Sequence, residues 1–391
     1  MKKQFQQPAP LFRLAVAMVA GIVVARLTAC PLWLSLLLLT VVVAAALFCR
    51  RHAIIQSVLI VVGFAQLGMA SWQLSSRRQD EHKAPVTIWF LQQREHLLAR
   101  YRQAAGTDDD LYGVLAAMTL GDKRALTPEL RQTYSITGAS HVLALSGMHL
   151  GVIYLLLTTL TLRRRRWWVA QALVVIGIWA FAFLTGLSPS VTRSATMISC
   201  YALFSLGGRG RSTVNALSLT AIILLLADAR SLYDVGFQMS FLAVFSILLF
   251  MPLFGAIVPR NYLLSHPLLK WVCGMTAVSL SAQLGVAPLI AYYFHRFSTW
   301  FLLTNFVAIP LATLILYAAL LMLLLPCCAP LLLWLVRALN ASLGWMSRWP
   351  LASIDGLQFA AWQVVFIYVA IGCFYFMMQR LLFVRPSSGG L

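Results

Sequence analysis

Acidic residues are scarce in this chain. Asp and Glu number 11 against 30 Lys and Arg in 391 residues, and the four types together reach only 10%. Soluble domains carry about 25% charged residues, so an ordinary soluble protein is excluded. Cysteine is sparse as well. The seven (Cys30, Cys49, Cys200, Cys273, Cys327, Cys328, Cys373) show neither C-x-x-C spacing nor a disulfide framework, which leaves reduced, packed thiols as the expectation. No G-x-x-x-x-G-K-[ST] run occurs, so any energy source is expected in another protein or an ion gradient.

What is abundant is apolar surface. The chain is 61% hydrophobic with a mean hydropathy of +0.82. Its apolar runs are continuous over about 20 residues rather than alternating, the pattern of spanning helices and not of a barrel. The expected fold is an all-α, polytopic integral membrane protein with roughly 10–12 transmembrane helices. The net charge of +19 suggests a nucleic-acid partner, yet its placement is explained by topology. Lys2, Lys3, Arg50, Arg51, Arg163 to Arg166, Arg209, Arg211, Arg260, Lys270, Arg380 and Arg385 all fall in expected cytoplasmic loops or tails, as the positive-inside rule requires.

Residues 1–74 read as three N-terminal spanning helices. The first apolar run, Leu11–Leu27, is followed by Leu27-Thr28-Ala29-Cys30, which looks like a lipoprotein cleavage box. Arg26 beside the supposed cut, and two further apolar runs, favour a spanning helix. With Lys2 and Lys3 inside, residues 75–133 form a short extracytoplasmic segment whose acids and bases nearly balance. Within it Val86–Arg102 reads as an amphipathic helix on the membrane surface, anchored by Trp89, Phe90, Leu97 and Leu98. Asp108, Asp109 and Asp110 then favour a helix start. Residues 134–325 form the main transmembrane core and 326–391 the last helices and tail. Pro288 is expected to bend its helix, Pro310 to bend or break the next, and Leu331–Trp349 fits either a span or an interfacial helix.

The core opens on Tyr134–Tyr154, YSITGASHVLALSGMHLGVIY. A helix from Val142 into Leu162 would be long enough to span, with His141, Ser146 and His149 around its first turns. Polar groups at membrane depth mark a functional path unless they face protein. Gly147 and Gly151 make a G-x-x-x-G step that lets another helix approach closely. His141 and His149 lie about 80° apart on an ideal helix, and no nearby acid or cysteine completes a metal site. Ser146 with His149 has the spacing of a nucleophile and base, but also that of any i,i+3 helix contact, and no carboxylate follows to orient the ring. No catalytic, metal or cofactor role is assigned.

Arg193 follows Ser188, Ser190 and Thr192 near the outer end of a helix. It either lines a wet path or snorkels to the interface. Asp234, with Asp228 and Arg230, reads as a loop cap, a local ion pair or a gate. Gln238, Gln283 and Asn305 are amides in apolar helices, satisfied across helix contacts or hydrating a channel.

The run HVLALSGMHLG resembles the signature of the ComEC-type competence family, an inner-membrane channel that takes up transforming DNA. LGDKRAL (Leu120–Leu126), TGLSPSVTRSATM (Thr185–Met197), SLYDVGFQMSFLAV (Ser231–Val244) and Ser279–Leu311 are similar to its other blocks, in the family's order. The resemblance implies single-strand DNA passing inward across the bacterial cytoplasmic membrane, with the N-terminus cytoplasmic. His141, Ser146, Gly147, His149, Gly151, Arg193, Asp234, Gln238, Gln283 and Asn305 become path or gate candidates. It also implies a separate DNA receptor, nuclease and cytoplasmic motor. Longer members carry an oligonucleotide-binding fold and a metallo-β-lactamase-like module. Here only the short near-neutral segment stands in the first position, and no H-x-H-x-D-H cluster is present, so a short form, a split form or a truncated relict is expected. The alternatives are a small-molecule or lipid-precursor transporter of the same fold, and an intramembrane hydrolase using Ser146 and His149.

Overall fold

The computed structural model describes residues 9–28, 31–77, 85–161, 167–206 and 213–383. Lys2, Lys3, Cys30, Asp80, Glu81, Arg163 to Arg166, the glycine-arginine turn at 207–211 and Arg385 lie outside them. In chain order the helices are α1 (Pro10–Leu27), α2 (Leu32–Phe48), α3 (Ala53–Arg77), α4 (Pro85–Ala105), α5 (Asp109–Leu120), α6 (Pro128–Ile136), α7 (Ser140–Leu143), α8 (Gly147–Thr161) and α9 (Trp167–Leu184). They continue as α10 (Pro189–Leu206), α11 (Thr213–Ala227), α12 (Val235–Ile257), α13 (Arg260–Ser265), α14 (Pro267–Phe294), α15 (Phe301–Leu324), α16 (Ala329–Met346) and α17 (Ala361–Phe383). Two short strands, β1 (Arg296–Ser298) and β2 (Ser353–Asp355), pair antiparallel with Phe297 opposite Ile354.

Among the described residues seven helices are long and apolar enough to cross a bilayer, and four shorter apolar helices accompany them. The protein is therefore a polytopic, all-α membrane protein. α10 is 18 residues long but stands outside the spanning set, because Ser190, Thr192, Arg193, Ser194 and Thr196 lower its hydropathy.

The chain divides into two compact units. The first comprises Met1–Ala84, Arg166–Val175 and Arg193–Phe241. In it α1 and α3 meet backbone to backbone. A Cβ on Gly21 would strike the carbonyl of Ala65, and one on Gly68 the carbonyl of Met18, so only glycine permits the approach. Met18, Ile22, Leu225 and Phe237 form its apolar centre. Ser71 Oγ donates to the Leu225 carbonyl at 2.7 Å and the Ala229 N–H donates to Ser75 Oγ at 3.0 Å, tying α3 to α11 and the turn after it. The Arg26 guanidinium lies 3.9 Å from the centre of the Tyr233 ring. α1 is thus built into the helix bundle.

The second unit comprises Pro85–Arg165, Ile176–Thr192 and Leu242–Leu391. An apolar cluster in it joins α4, α5, α6, α7, α15 and α16 through Leu98, Tyr101, Leu115, Met118, Tyr134, Ile315, Val336 and Leu339. Two expectations change here. α4 does form, but Leu98 is buried against this cluster and Phe90 stacks on Phe183 at 5.5 Å, so of the four expected anchors Trp89 is the exposed one. α5, placed in the polar outside segment by its neighbours, is buried from Gly113 to Leu120. At 12 residues it is about 18 Å long, too short for a span. Its start is as expected, with Asp108 accepting the Leu111 N–H at 3.1 Å.

Pro288 and Pro310 both sit inside continuous helices. The region around Leu331–Trp349 is a helix packed on α15 in the apolar cluster, and it is apolar enough to span.

Candidate functional site

The Tyr134–Tyr154 stretch is not one helix. α7 ends at Leu143, Ala144 is extended (φ −89°, ψ 130°), and α8 starts only at Gly147. The expected Val142–Leu162 span is thereby corrected to a broken pair. Within the described residues α8 runs for 15 residues, Gly147–Thr161.

Ser146 and His149 explain the new start. The Ser146 N–H donates to His149 Nδ1 at 3.3 Å, and Ser146 Oγ lies 3.2 Å from the same nitrogen. A side chain at the third helical position returning to the N-cap N–H is the geometry of a capping box, with histidine in the usual place of Glu. Because Nδ1 accepts, the ring proton sits on Nε2. That Nε2 is buried without a hydrogen-bond partner, in a side chain only 1% exposed. His141 is exposed, and its Nδ1 lies 3.0 Å from the Gly138 carbonyl, to which it donates.

The glycine step differs from expectation too. Gly147 and Gly151 are exposed, and a Cβ on Gly151 would meet nothing within 4 Å. Among the described residues nothing packs against Gly151, and the buried residues of α8 are His149, Leu150 and Ile153.

Other motif blocks converge on this segment. Gly121, the left-handed C-cap of α5 (φ 72°), leaves room for Leu145, whose Cδ1 stands 2.8 Å from where a Cβ would be, with the Thr185 carbonyl at 3.9 Å. Gly138 (φ 78°) similarly makes room for Ser298 on β1. Arg296 pairs with Asp355 across the two-stranded ribbon and donates to Ser135 Oγ at 3.1 Å. Tyr134 donates to Asn340 Oδ1 at 2.8 Å. The LGDKRAL block, the start of the Thr185 block and the β1 stretch thus fix the turns around α7.

Sequence reasoning missed the charges of the LGDKRAL block. Asp122 is 5% exposed and accepts from the Arg124 backbone N–H (3.0 Å) and from Arg124 Nη2 (2.6 Å), while Arg94 Nη2 lies 4.0 Å away. Arg94 also donates to the Leu120 carbonyl at 3.0 Å, and Arg124 reaches Glu95 at 3.2 Å. Hydrogen bonding to Arg124 holds the Asp122 carboxyl below the usual carboxylate range, against the opposing cost of burial. The only sequence signal was an acid directly after a helix-ending glycine.

In the first unit, Arg193 and Asp234 come together at 3.2 Å, 41 positions apart. Arg193 is 8% exposed, and its Nε is buried without a partner. Asp234 also caps α12, accepting the Gly236 and Phe237 N–H groups at 3.2 Å each. Gly236 admits the guanidinium, since a Cβ there would lie 3.1 Å from Arg193 Nη2. Asp228 and Arg230 pair with each other at 3.0 Å on the surface. Gln238 donates to the Leu232 carbonyl at 3.0 Å.

Of the remaining amides, Asn305 on α15 donates to Ser279 Oγ on α14 at 3.2 Å, and Gln283 is half-buried on α14. Between the same helices the Ser281 and Thr304 hydroxyls are buried without partners. Among the described residues no three His, Cys, Asp or Glu side chains gather as a metal site.

Comparison with known proteins agrees with the motif blocks. The model of the Competence protein family matches residues 118–381, more than half of the chain. Over 209 residues the chain is 32% identical to ComE operon protein 3 of Bacillus subtilis (strain 168), covering 52% of this chain and 25% of that protein. Over 215 residues it is 29% identical to an uncharacterized protein of Aquifex aeolicus (strain VF5), covering 53% and 48%. Over 169 residues it is 28% identical to Competence protein ComA of Neisseria gonorrhoeae, covering 40% and 23%. The chain thus matches half or less of the length of these relatives. No solved structure matches it. The chain belongs to the Competence protein family.

Proposed function

We propose that this protein forms an inner-membrane path for single-stranded DNA in natural transformation, with its N-terminus in the cytoplasm. Family membership supports competence as the process. The observation that carries the reading within the molecule is the interrupted α7–α8 pair, beside which the LGDKRAL block packs at Leu145 and the β1 stretch at Gly138, with His141 and Gly147 exposed. Non-helical backbone at membrane depth is tolerated where it is buried in protein or lines a wet cavity. The break therefore suits a hydrated path, and the Ser146–His149 cap holds it open as structure, not as catalysis. In the first unit, taken by itself, Arg193 paired with Asp234 is a half-neutralised cation, of the kind that attracts a phosphodiester without trapping it. A separate receptor, nuclease and motor would serve the same path.

The second reading, a small-molecule or lipid-precursor transporter, is favoured by the same break, since transporters place substrate sites at discontinuous helices. Uptake of labelled duplex DNA in a strain deleted for the gene separates the two. DNase-protected DNA accumulating outside the cytoplasmic membrane, with none in the cytoplasm, is the expected result. Unchanged cytoplasmic DNA would remove the channel reading and leave the transporter.

A further inference from the structure

Cysteine pairing outside the motif blocks points elsewhere in the second unit. Cys327 and Cys328 are adjacent in sequence and occupy the short 3-10 turn Pro326–Cys328 that joins α15 to α16. Both are free thiols. Cys327 is exposed and Cys328 is half-buried. The other described cysteines, Cys49, Cys200, Cys273 and Cys373, have no cysteine neighbour in sequence.

Consecutive Cα atoms stand about 3.8 Å apart across a trans peptide, so both side chains of such a pair can reach one shared atom by χ1 rotation. A ligand bonded to one sulfur then meets the second at high effective concentration, which raises retention by about 10²–10⁴ over a single site. With no His, Asp or Glu joining them among the described residues, the pair cannot complete the four-ligand set of a structural zinc site. It suits a soft acceptor that takes two sulfurs, and soft thiolate donors select such acceptors.

We propose that the α15–α16 turn is a vicinal-dithiol site for soft electrophiles that take two thiolate sulfurs, of which trivalent organoarsenicals are the defining class. The step with phenylarsine oxide is balanced without an oxidant. Both S–H bonds and the arsenic–oxygen bond break, two arsenic–sulfur bonds form, the two protons leave with the oxygen as water, and arsenic stays trivalent. Occupancy would staple a turn whose two helices both hold the motif segment. Tyr317 of α15 donates to the Val152 carbonyl at 3.4 Å, and Asn340 of α16 accepts from Tyr134 at 2.8 Å.

The experiment uses the full chain purified in detergent under reducing conditions, treated with phenylarsine oxide and then washed with excess monothiol. Intact-mass analysis should show one retained phenylarsenic group, released by a 1,2-dithiol. Cys327→Ser and Cys328→Ser should each lower retention about a hundredfold, the loss of the second sulfur. Cys373→Ser should retain it as the unsubstituted protein does. No retained adduct on the unsubstituted protein, or equal retention in Cys327→Ser, would overturn the proposal. Neither outcome depends on whether the protein carries DNA.

Discussion

Two ion pairs in this protein are built in opposite senses. At Arg193–Asp234 the cation is buried and the acid exposed, with side-chain exposures of 9% and 51%. At Arg124–Asp122 the acid is buried and the cation exposed, 6% against 71%. Exposed pairs contribute little, whereas stripping the partner from a buried charge is costly. The difference teaches which residue of each pair holds the structure: the exposed one, because it keeps the buried charge compensated.

The largest effect should come from removing that partner at the first pair. Asp234→Ala leaves the Arg193 guanidinium buried and uncompensated and strips the cap from α12. We expect a loss of about 3–5 kcal/mol, read as a lowered melting temperature in detergent. Arg193→Met in the same chain should recover most of it. A fall of less than about 1 kcal/mol in the single variant would break the comparison.

Arg124→Ala should cost less, about 1–3 kcal/mol, because Asp122 keeps a backbone N–H and the neighbouring Arg94. The pH dependence has a fixed sign. A carboxyl held low in the folded state contributes stability above its unfolded pKa, about 3.9, and that contribution is lost as pH falls from there through the folded value. Acid unfolding of Arg124→Ala should therefore begin at a higher pH than that of the unsubstituted protein. Coincident acid limbs would show that Arg124 does not hold Asp122.

Smaller still are the glycines beside each pair. Gly121→Ala meets both a left-handed backbone (φ 72°) and the Leu145 side chain, so we expect a cost of about 1–2 kcal/mol. Gly236→Ala meets only the mobile ends of Arg193 and Asp234, at 3.1 and 3.3 Å, and should stay below about 1 kcal/mol. Thermal melts of the two variants side by side rank them, and a reversed order would contradict the packing described.

The spanning helices were legible because about 20 contiguous apolar residues have few other outcomes. The break at Ala144–Ser146 was not. ALSG sits inside an apolar run, and what ends the helix is a histidine three residues on returning to the Ser146 N–H. α5 was hidden by its length and its polar surroundings, though its burial is among the deepest in the chain. The ribbon was hidden because three residues a side carry no periodicity. It also depends on His295 and Leu351 in left-handed conformations, which sequence assigns to glycine. The motif residues were legible as a set from their resemblance to a family. Their pairing was not, since Arg193 and Asp234 are 41 positions apart and Asp122 reads as an ordinary surface acid.

Arg193→Gln provides the most direct test of the central claim that this protein conducts DNA past a buried cation. The substitution leaves behind Asp234, which is exposed and still caps its helix, so the protein should accumulate to its normal level. Cytoplasmic uptake of labelled DNA is then measured in cells carrying this variant as their only copy. The account predicts a strong fall in cytoplasmic DNA at unchanged protein level; normal uptake at that level would contradict it.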